Sequence, residues 1–166
     1  MQCEASLHVS SINLRINIDG LPTFKSKNMT MWPVQCNFAD YPDVPPFIVA
    51  VYSGKHKPND LEFLVEFILE LKHLMELGIE FQGTHFPIRV HSVICDAPAK
   101  ALIKGILQYN GKYGCDYCEV KGEHCHGRML FLSEGRQRDD ERFRAKTNQK
   151  HHKVDSPFLE LDIDMI

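Results

Sequence analysis

A mixed α/β domain is what this sequence predicts: a three-strand antiparallel meander, a crossover helix, a strand parallel to the first, and a second helix. Three observations carry that expectation. Three strand-like runs joined by short connections lie between residues 14 and 52, a long amphipathic helix comes next, and a fourth strand-like run follows it. The first and fourth runs share a further mark, because each finishes on an aspartate, Asp19 and Asp96.

Leu14, Ile16 and Ile18 alternate with Arg15 and Asn17, the period of a strand with one buried face. Leu21 to Asn28 holds proline, serine and lysines and reads as a turn. Thr30 to Phe38 is the second strand, where Pro33 marks an edge or a bulge. Ala39 to Pro46 carries three prolines and two aspartates and is a loop. Pro46 to Tyr52 is apolar on both faces, the pattern of a central strand.

Asn59 is the expected cap of the first helix, with Glu62 as its capping-box partner. Leu61, Leu64, Val65, Ile68, Leu71, Leu74 and Met75 then recur at helical spacing, Phe63 and Phe67 broaden the apolar face, and Gly78 is the stop. Phe86 to Cys95 is the fourth strand. Pro98 opens a second helix over Ala99 to Tyr109, which Asn110-Gly111 ends. Gly127 to Leu132 reads as a fifth strand, and Glu134 to Lys153 is polar without periodicity.

A helix crossover between neighbouring strands of one sheet leaves them parallel. The order strand, strand, strand, helix, strand, helix is therefore the ribonuclease-H-like layout, and it brings Asp19 and Asp96 to the same edge. The expected division is a core over residues 1–111, a zinc-binding and basic segment over 112–153 that includes the fifth strand, and over 154–166 the start of a truncated downstream insertion.

The chain has 166 residues, 43% hydrophobic and 25% charged, which is ordinary for one globular domain. No apolar run approaches the ~20 residues of a membrane helix. The amino terminus lacks a basic region followed by an apolar one, so the expected location is intracellular, nuclear or cytoplasmic, with no membrane partner. The six cysteines are unevenly spaced, with Cys3, Cys36 and Cys95 scattered in apolar surroundings, which fits a metal site better than a disulfide framework. The net charge of −3 hides a split: residues 121–153 carry +4 and four histidines, whereas residues 154–166 hold four acids and no base. A basic segment of this kind suits DNA, and a solvated loop of mixed charge reads the same way.

Two constellations carry chemistry. Asp19 and Asp96 at one sheet edge suit a hard cation, Mg²⁺ or Mn²⁺. Two such ions about 4 Å apart activate a hydroxyl or water and stabilise the leaving oxygen of a phosphodiester. The competing readings are a turn at Asp19-Gly20 and a helix cap at Asp96. Glu160, Asp162 and Asp164 read as a solvated stretch rather than as the third acid. The second constellation is Cys115-x-x-Cys118 followed by Cys125, His126, His151 and His152. The two thiolates can share one tetrahedral Zn²⁺, completed from the later residues. A redox dithiol lacks the strand-to-helix context, and plain surface cysteines remain an alternative. Trp32 reads as a packing residue, and Arg136, Arg138, Arg142 and Arg144 read either as phosphate contacts or as a solvated run.

Asn17-Ile-Asp-Gly-Leu-Pro, Trp32-Pro, Gly54-Lys-His-Lys-Pro, Cys95-Asp-Ala-Pro-Ala-Lys, Gly114-Cys-Asp-Tyr-Cys, His151-His152 and Ser156-Pro-Phe-Leu-Glu-Leu occur in this order. Together they resemble transposases of the CACTA (En/Spm-like) superfamily, above all transposase-like reading frames of animal genomes. The resemblance runs from about residue 12 to the end. It implies a ribonuclease-H-like catalytic core whose acidic triad cuts and joins DNA, with Asp19 and Asp96 matching the first two acids. It also implies a zinc-type Cys-x-x-Cys, matched by Cys115 and Cys118. The family's third acid lies downstream of a helical insertion that would begin near Ile166. The chain is therefore expected to be a partial catalytic domain, inactive alone, with DNA as partner and self-association as a further expectation. The rival expectation is a non-enzymatic zinc-stabilised module that binds DNA or protein.

Overall fold

The computed structural model of the chain describes residues 10–23 and 29–166. In chain order the elements are β1 (Ile12–Ile18), β2 (Leu21–Thr23), β3 (Met29–Phe38), β4 (Phe47–Gly54), α1 (Val65–Leu77), β5 (Ile79–Phe81), β6 (Thr84–Phe86), β7 (Ile88–Ile94), α2 (Ala97–Ile103), β8 (Glu123–Cys125), β9 (Arg128–Leu130) and α3 (Asp140–Arg144). Short 3-10 turns precede α1 and occur at Gln149–His151 and Pro157–Glu160.

The main sheet is mixed. β3 pairs antiparallel with β1 and β2 along one side and with β4 along the other, and β7 pairs parallel with β1. Across the sheet the order is thus β4, β3, β1, β7, with β2 extending the line of β1. The antiparallel meander, the crossover helix and the parallel fourth strand stand as the sequence predicts.

Several local expectations are corrected. Leu21 to Thr23 is strand rather than turn, and the rest of that expected turn, residues 24–28, lies outside the described residues together with Cys3. Ile18 faces Val34 and Leu21 faces Met31 on β3, so β1 and β2 keep one register across Asp19-Gly20. That register sets Asp19 opposite Pro33 and Gly20 opposite Trp32. Proline has no N–H to give the ladder, so the ladder is interrupted there. A Cβ on Gly20 would stand 2.8 Å from two carbons of the Trp32 indole, so the tryptophan lies where any other side chain would be. Pro33 is on an inner strand and not on an edge, while the other half of that expectation, a bulge, has its counterpart in the β3–β4 register shift between Val34 and Gln35.

β4 is the outer strand, although its sequence is apolar on both faces. Burial, not composition, separates the two cases. Val34 and Ile16 on the inner strands are fully buried, while Ile48 is 60% exposed.

The helices also differ at their ends. Asp60, not Asn59, meets the chain before α1, its carboxylate accepting the Glu62 N–H at 3.1 Å. Leu64, Phe67, Ile68 and Leu71 are the buried face, packed on Ile16, Ile18 and Val34 in a single cluster. Gly78 ends α1 at φ 67, where its N–H reaches the Leu74 carbonyl. α2 stops at Ile103 rather than at Tyr109. Gly105 turns the chain at φ +66, and a Cβ there would lie 2.3 Å from the Val154 carbonyl oxygen. Ile106 instead pairs with His152.

The fifth strand expected at Gly127 to Leu132 is β9, which joins β8 in a separate two-stranded hairpin and not the main sheet. Its turn is His126-Gly127 at φ 48 and 76, the left-handed pair that a tight hairpin needs. The stretch 134–153 gains α3 through an Asp139 cap, whose carboxylate accepts the Arg142 N–H at 2.9 Å. Phe143, Phe158, Leu161 and Met165 join the cluster of the sheet and α1, so one core takes residues from all three expected segments. Among the described residues no helix is long and apolar enough to cross a membrane.

Ile68→Ala on α1 should cost about 3 kcal/mol, the usual penalty for emptying a buried aliphatic site. Ile94→Ala, on a residue 49% exposed, should stay within about 0.5 kcal/mol. Urea denaturation of both variants checks the pair.

Candidate metal centre

The parallel ladder sets the first half of the site. β1 and β7 run from Ile12 opposite Ile88 to Asn17 opposite Ile94, with one irregularity between Leu14 and Arg15. The same register carried two residues further puts Asp19 level with Asp96 at the carboxyl ends of both strands. The Asn17 side-chain amide donates to the Ile94 carbonyl at 3.3 Å and ties the ladder just below the acids. Asp19 is half-buried and accepts the Gly20 N–H at 2.7 Å on one carboxylate oxygen. Asp96 is exposed and caps α2, its Oδ1 accepting the Ala99 N–H at 2.7 Å. Cap and cation are compatible demands, since each carboxylate keeps a second oxygen.

The second half is built around Cys115 and Cys118, whose sulfurs lie 3.2 Å apart. Gly114 lets the chain into this loop, for a Cβ there would fall 1.9 Å from the Gln108 carbonyl oxygen. The loop is laddered to the chain returning toward α3: the Glu119 N–H donates to Arg136 and the Arg138 N–H donates to Tyr117, at 2.8 and 2.9 Å. Asp116, between the cysteines, is gripped from α2. Lys104 reaches it at 2.6 Å and Lys100 closes on its other oxygen. Burial pushes the Asp116 carboxyl up, but the two lysines outweigh it and hold it below the usual carboxylate range. Burial also lowers the Lys104 ammonium, against the pull of Asp116. The two thiols diverge. Burial opposes ionisation of Cys115, yet the Cys118 thiol, the backbone N–H groups of Tyr117 and Cys118, and the Arg138 charge bring it below the usual thiol range. Cys118 is raised, by burial first and by Cys115 second.

His151 is the most informative side chain here. It is fully buried, and its Nδ1 lies 2.7 Å from the carbonyl of Tyr113, two residues before Cys115. Its Nε2 is buried with no hydrogen-bond partner. Burial pushes its pKa down to about 4, so at neutral pH the ring is uncharged. A neutral ring that donates from Nδ1 to a carbonyl presents a bare lone pair at Nε2. That is the arrangement of a histidine ligand held by an outer hydrogen bond. His152 is half-buried, packs on Phe143 at 4.7 Å between ring centroids, and is lowered chiefly by burial.

The remaining candidates lie elsewhere. Cys125 and His126 form the exposed tip of the β8–β9 hairpin, with sulfur and Nδ1 3.0 Å apart. Among the described residues no three histidine, cysteine, aspartate or glutamate side chains are gathered as a ready cation cage. The structure thus brings together Cys115 with Cys118, ties His151 to the carbonyl of Tyr113, and leaves Cys125 and His126 as a separate pair. Glu160, Asp162 and Asp164 are exposed, and Glu160 pairs with Lys72 at 3.0 Å.

The arginines are largely engaged within the fold. Arg138 is buried and donates to the Cys115 carbonyl at 3.0 Å, and Arg142 holds Glu119 at 2.8 Å. Arg144 binds Asp140 and the carbonyls of Leu159, Leu161 and Ile163. Sequence reading missed these roles and that of Asp116. The spacing of Lys100 and Lys104, four apart on one helical face, was the available signal for the latter. No family model, no curated protein and no solved structure matches this chain.

Asp116→Ala removes the partner of a lysine only 6% exposed and should cost about 3 kcal/mol, read as a lower urea midpoint with unchanged slope.

Proposed function

We propose that the chain is the sheet core of a metal-dependent DNA-cutting domain of the transposase type, ribonuclease-H-like in layout and braced by a zinc-binding segment. One observation carries the reading: the parallel pairing of β1 with β7, which sets Asp19 and Asp96 level at the carboxyl ends of adjacent strands. The strand order β4, β3, β1, β7 and the crossover through α1 support the same layout. Two carboxylates, each with an oxygen beyond its backbone hydrogen bond, are a hard donor set that fits Mg²⁺ or Mn²⁺. When bound, such ions activate the attacking oxygen and stabilise the leaving oxygen at a phosphodiester. Asp19 and Asp96 hold the charge at the sheet edge, and the α2 cap fixes the Asp96 rotamer. A third acid completes such a site in the transposases this chain resembles. The pair alone accounts for cation binding rather than turnover.

The zinc reading rests on different atoms. Cys115, Cys118 and His151 supply two sulfurs and one imidazole nitrogen, and the orphaned His151 Nε2 is the reason to include the last. His152, Cys125 and His126 are the candidates for the fourth position. These residues would hold Zn²⁺ between the loop at 113–118 and the chain at 151–152, where the ion would supply fold stabilisation. A second reading, a zinc-stabilised module that binds DNA or protein without cutting, is favoured by the internal use of Asp96 as a cap and of three arginines as braces.

Two measurements separate the readings. Mn²⁺ binding, followed by loss of the free-ion electron paramagnetic resonance signal, should weaken roughly tenfold or more in Asp19→Asn and in Asp96→Asn, by removal of one anionic ligand. Asparagine caps a helix as well as aspartate does, so Asp96→Asn leaves the fold intact. Unchanged Mn²⁺ binding in both variants would leave only the binding module. Separately, the purified chain should carry one equivalent of zinc by elemental analysis, with chelation lowering its melting temperature. Cys115→Ser and His151→Gln should each lose the metal, and retention by His151→Gln removes that residue from the ligand set.

A further inference from the structure

The cysteine loop is gripped by α2 through Asp116, and the next residue along it carries a ring held out in solvent. Tyr117 is 78% exposed, more than any other phenylalanine, tyrosine or tryptophan among the described residues. Its backbone is fastened on both sides. Asp116 turns to Lys100 and Lys104, and the Cys115 carbonyl accepts from the Arg138 guanidinium at 3.0 Å. The Tyr117 carbonyl accepts the Arg138 N–H at 2.9 Å, and Cys118 bridges to Gln137. An aromatic ring stabilises a fold by being buried, so this one contributes little to the fold from where it stands. Lys100 Nζ lies over one face of the ring, 5.8 Å from its centroid, and the exposure leaves the other face open. The Lys100 N–H closes the first turn of α2 on the Asp96 carbonyl at 2.8 Å, so the ring flanks the turn that begins at this acid.

The charge left free on this loop is positive. The Gly122 N–H donates to the Lys112 carbonyl at 2.7 Å and closes the segment 112–122. The two acids inside it, Asp116 and Glu119, are neutralised by the α2 lysines and by Arg142. Lys112 and Lys121, at the closure, are exposed and have no ion pair among the described residues. We infer that the loop is a contact for single-stranded DNA, in which Tyr117 stacks on an unpaired base and Lys112 and Lys121 meet the neighbouring phosphates. Every base has a π-face and every nucleotide a phosphate, so an open ring beside free lysines makes a platform that tolerates any sequence. A base inside a duplex has both faces covered by its neighbours, so the ring takes one that is frayed or single-stranded. The choice of DNA rests on the DNA-cutting reading, and the stacked base is then held beside the helix that Asp96 caps.

The experiment is fluorescence anisotropy of a short labelled oligodeoxythymidine titrated with the full chain. Tyr117→Ala should weaken binding roughly tenfold, with unchanged circular dichroism, whereas Tyr117→Phe keeps the ring and should bind as the wild type does. Lys112→Gln and Lys121→Gln should each weaken binding and flatten its salt dependence. A second probe needs no variant. An abasic strand of the same length keeps the phosphates and lacks the bases, and the wild-type chain should bind it about as weakly as Tyr117→Ala binds the intact strand. Equal wild-type affinity for the two strands overturns the inference. So does a Tyr117→Ala variant that binds like the wild type, or a Tyr117→Phe variant as weak as the alanine. The two readings fail separately. Mn²⁺ binding that needs Asp19 and Asp96, in a chain that binds no strand, overturns the stacking surface and leaves the acidic site. Strand binding that needs Tyr117, in a chain whose Mn²⁺ binding ignores both acids, supports the stacking surface and removes the cutting site.

Discussion

Parallel pairing of β1 with β7 is the constraint from which the rest of the architecture follows. Parallel strands cannot be joined by a tight turn, so the chain must leave the sheet and return, and α1 is that return. The helix can lie on only one face. That face is where Leu14, Ile16, Ile18, Val34 and Cys36 are buried, and the opposite face keeps Arg15, Asn17 and Gln35 half-open. Burial pushes the Cys36 thiol up to about 11, which makes it a small apolar residue in practice. The same parallelism fixes the two strand ends at one level, and hence the two acids.

The chain beyond α2 is held by a different kind of force. Lys104 and Asp116 join α2 to the cysteine loop, Arg138 fastens that loop by its carbonyl, and His151 reaches back to Tyr113. Arg144 is bound to the carbonyls of three alternate residues of the final segment, Leu159, Leu161 and Ile163, while Asp140 accepts the Met165 N–H at 2.9 Å. Phe143, Phe158 and Leu161 then plug into the core already made by the sheet. Polar contacts set the path of this chain, and a few aromatic and aliphatic residues supply the burial.

The sheet was legible in the sequence because its signal is periodic. Leu14, Ile16 and Ile18 alternate, and Leu64, Ile68 and Leu71 repeat at helical spacing, so local pattern and tertiary burial agree. The inner and outer strands were not legible, because Pro46 to Tyr52 is as apolar as a central strand and only pairing distinguishes them. α3 escaped notice for the opposite reason. Its stability comes from the Asp139 cap, the Arg144–Asp140 pair and a single buried phenylalanine, none of which makes a periodic pattern. At the site, Asp19, Asp96 and the Cys-x-x-Cys announce themselves by residue type. The choice of His151 among nine histidines rests on an unpartnered nitrogen that no spacing rule reveals.

The contact of Trp32 with Gly20 has an optical consequence. Trp32 is the only tryptophan in the chain, and its indole lies against the backbone directly beside Asp19. Intrinsic fluorescence excited at the red edge of protein absorption therefore originates from one place, the inner end of the acidic strand. Emission wavelength and quenching become a local gauge of events at Asp19. Tyrosine, spread over five positions, reports the molecule as a whole.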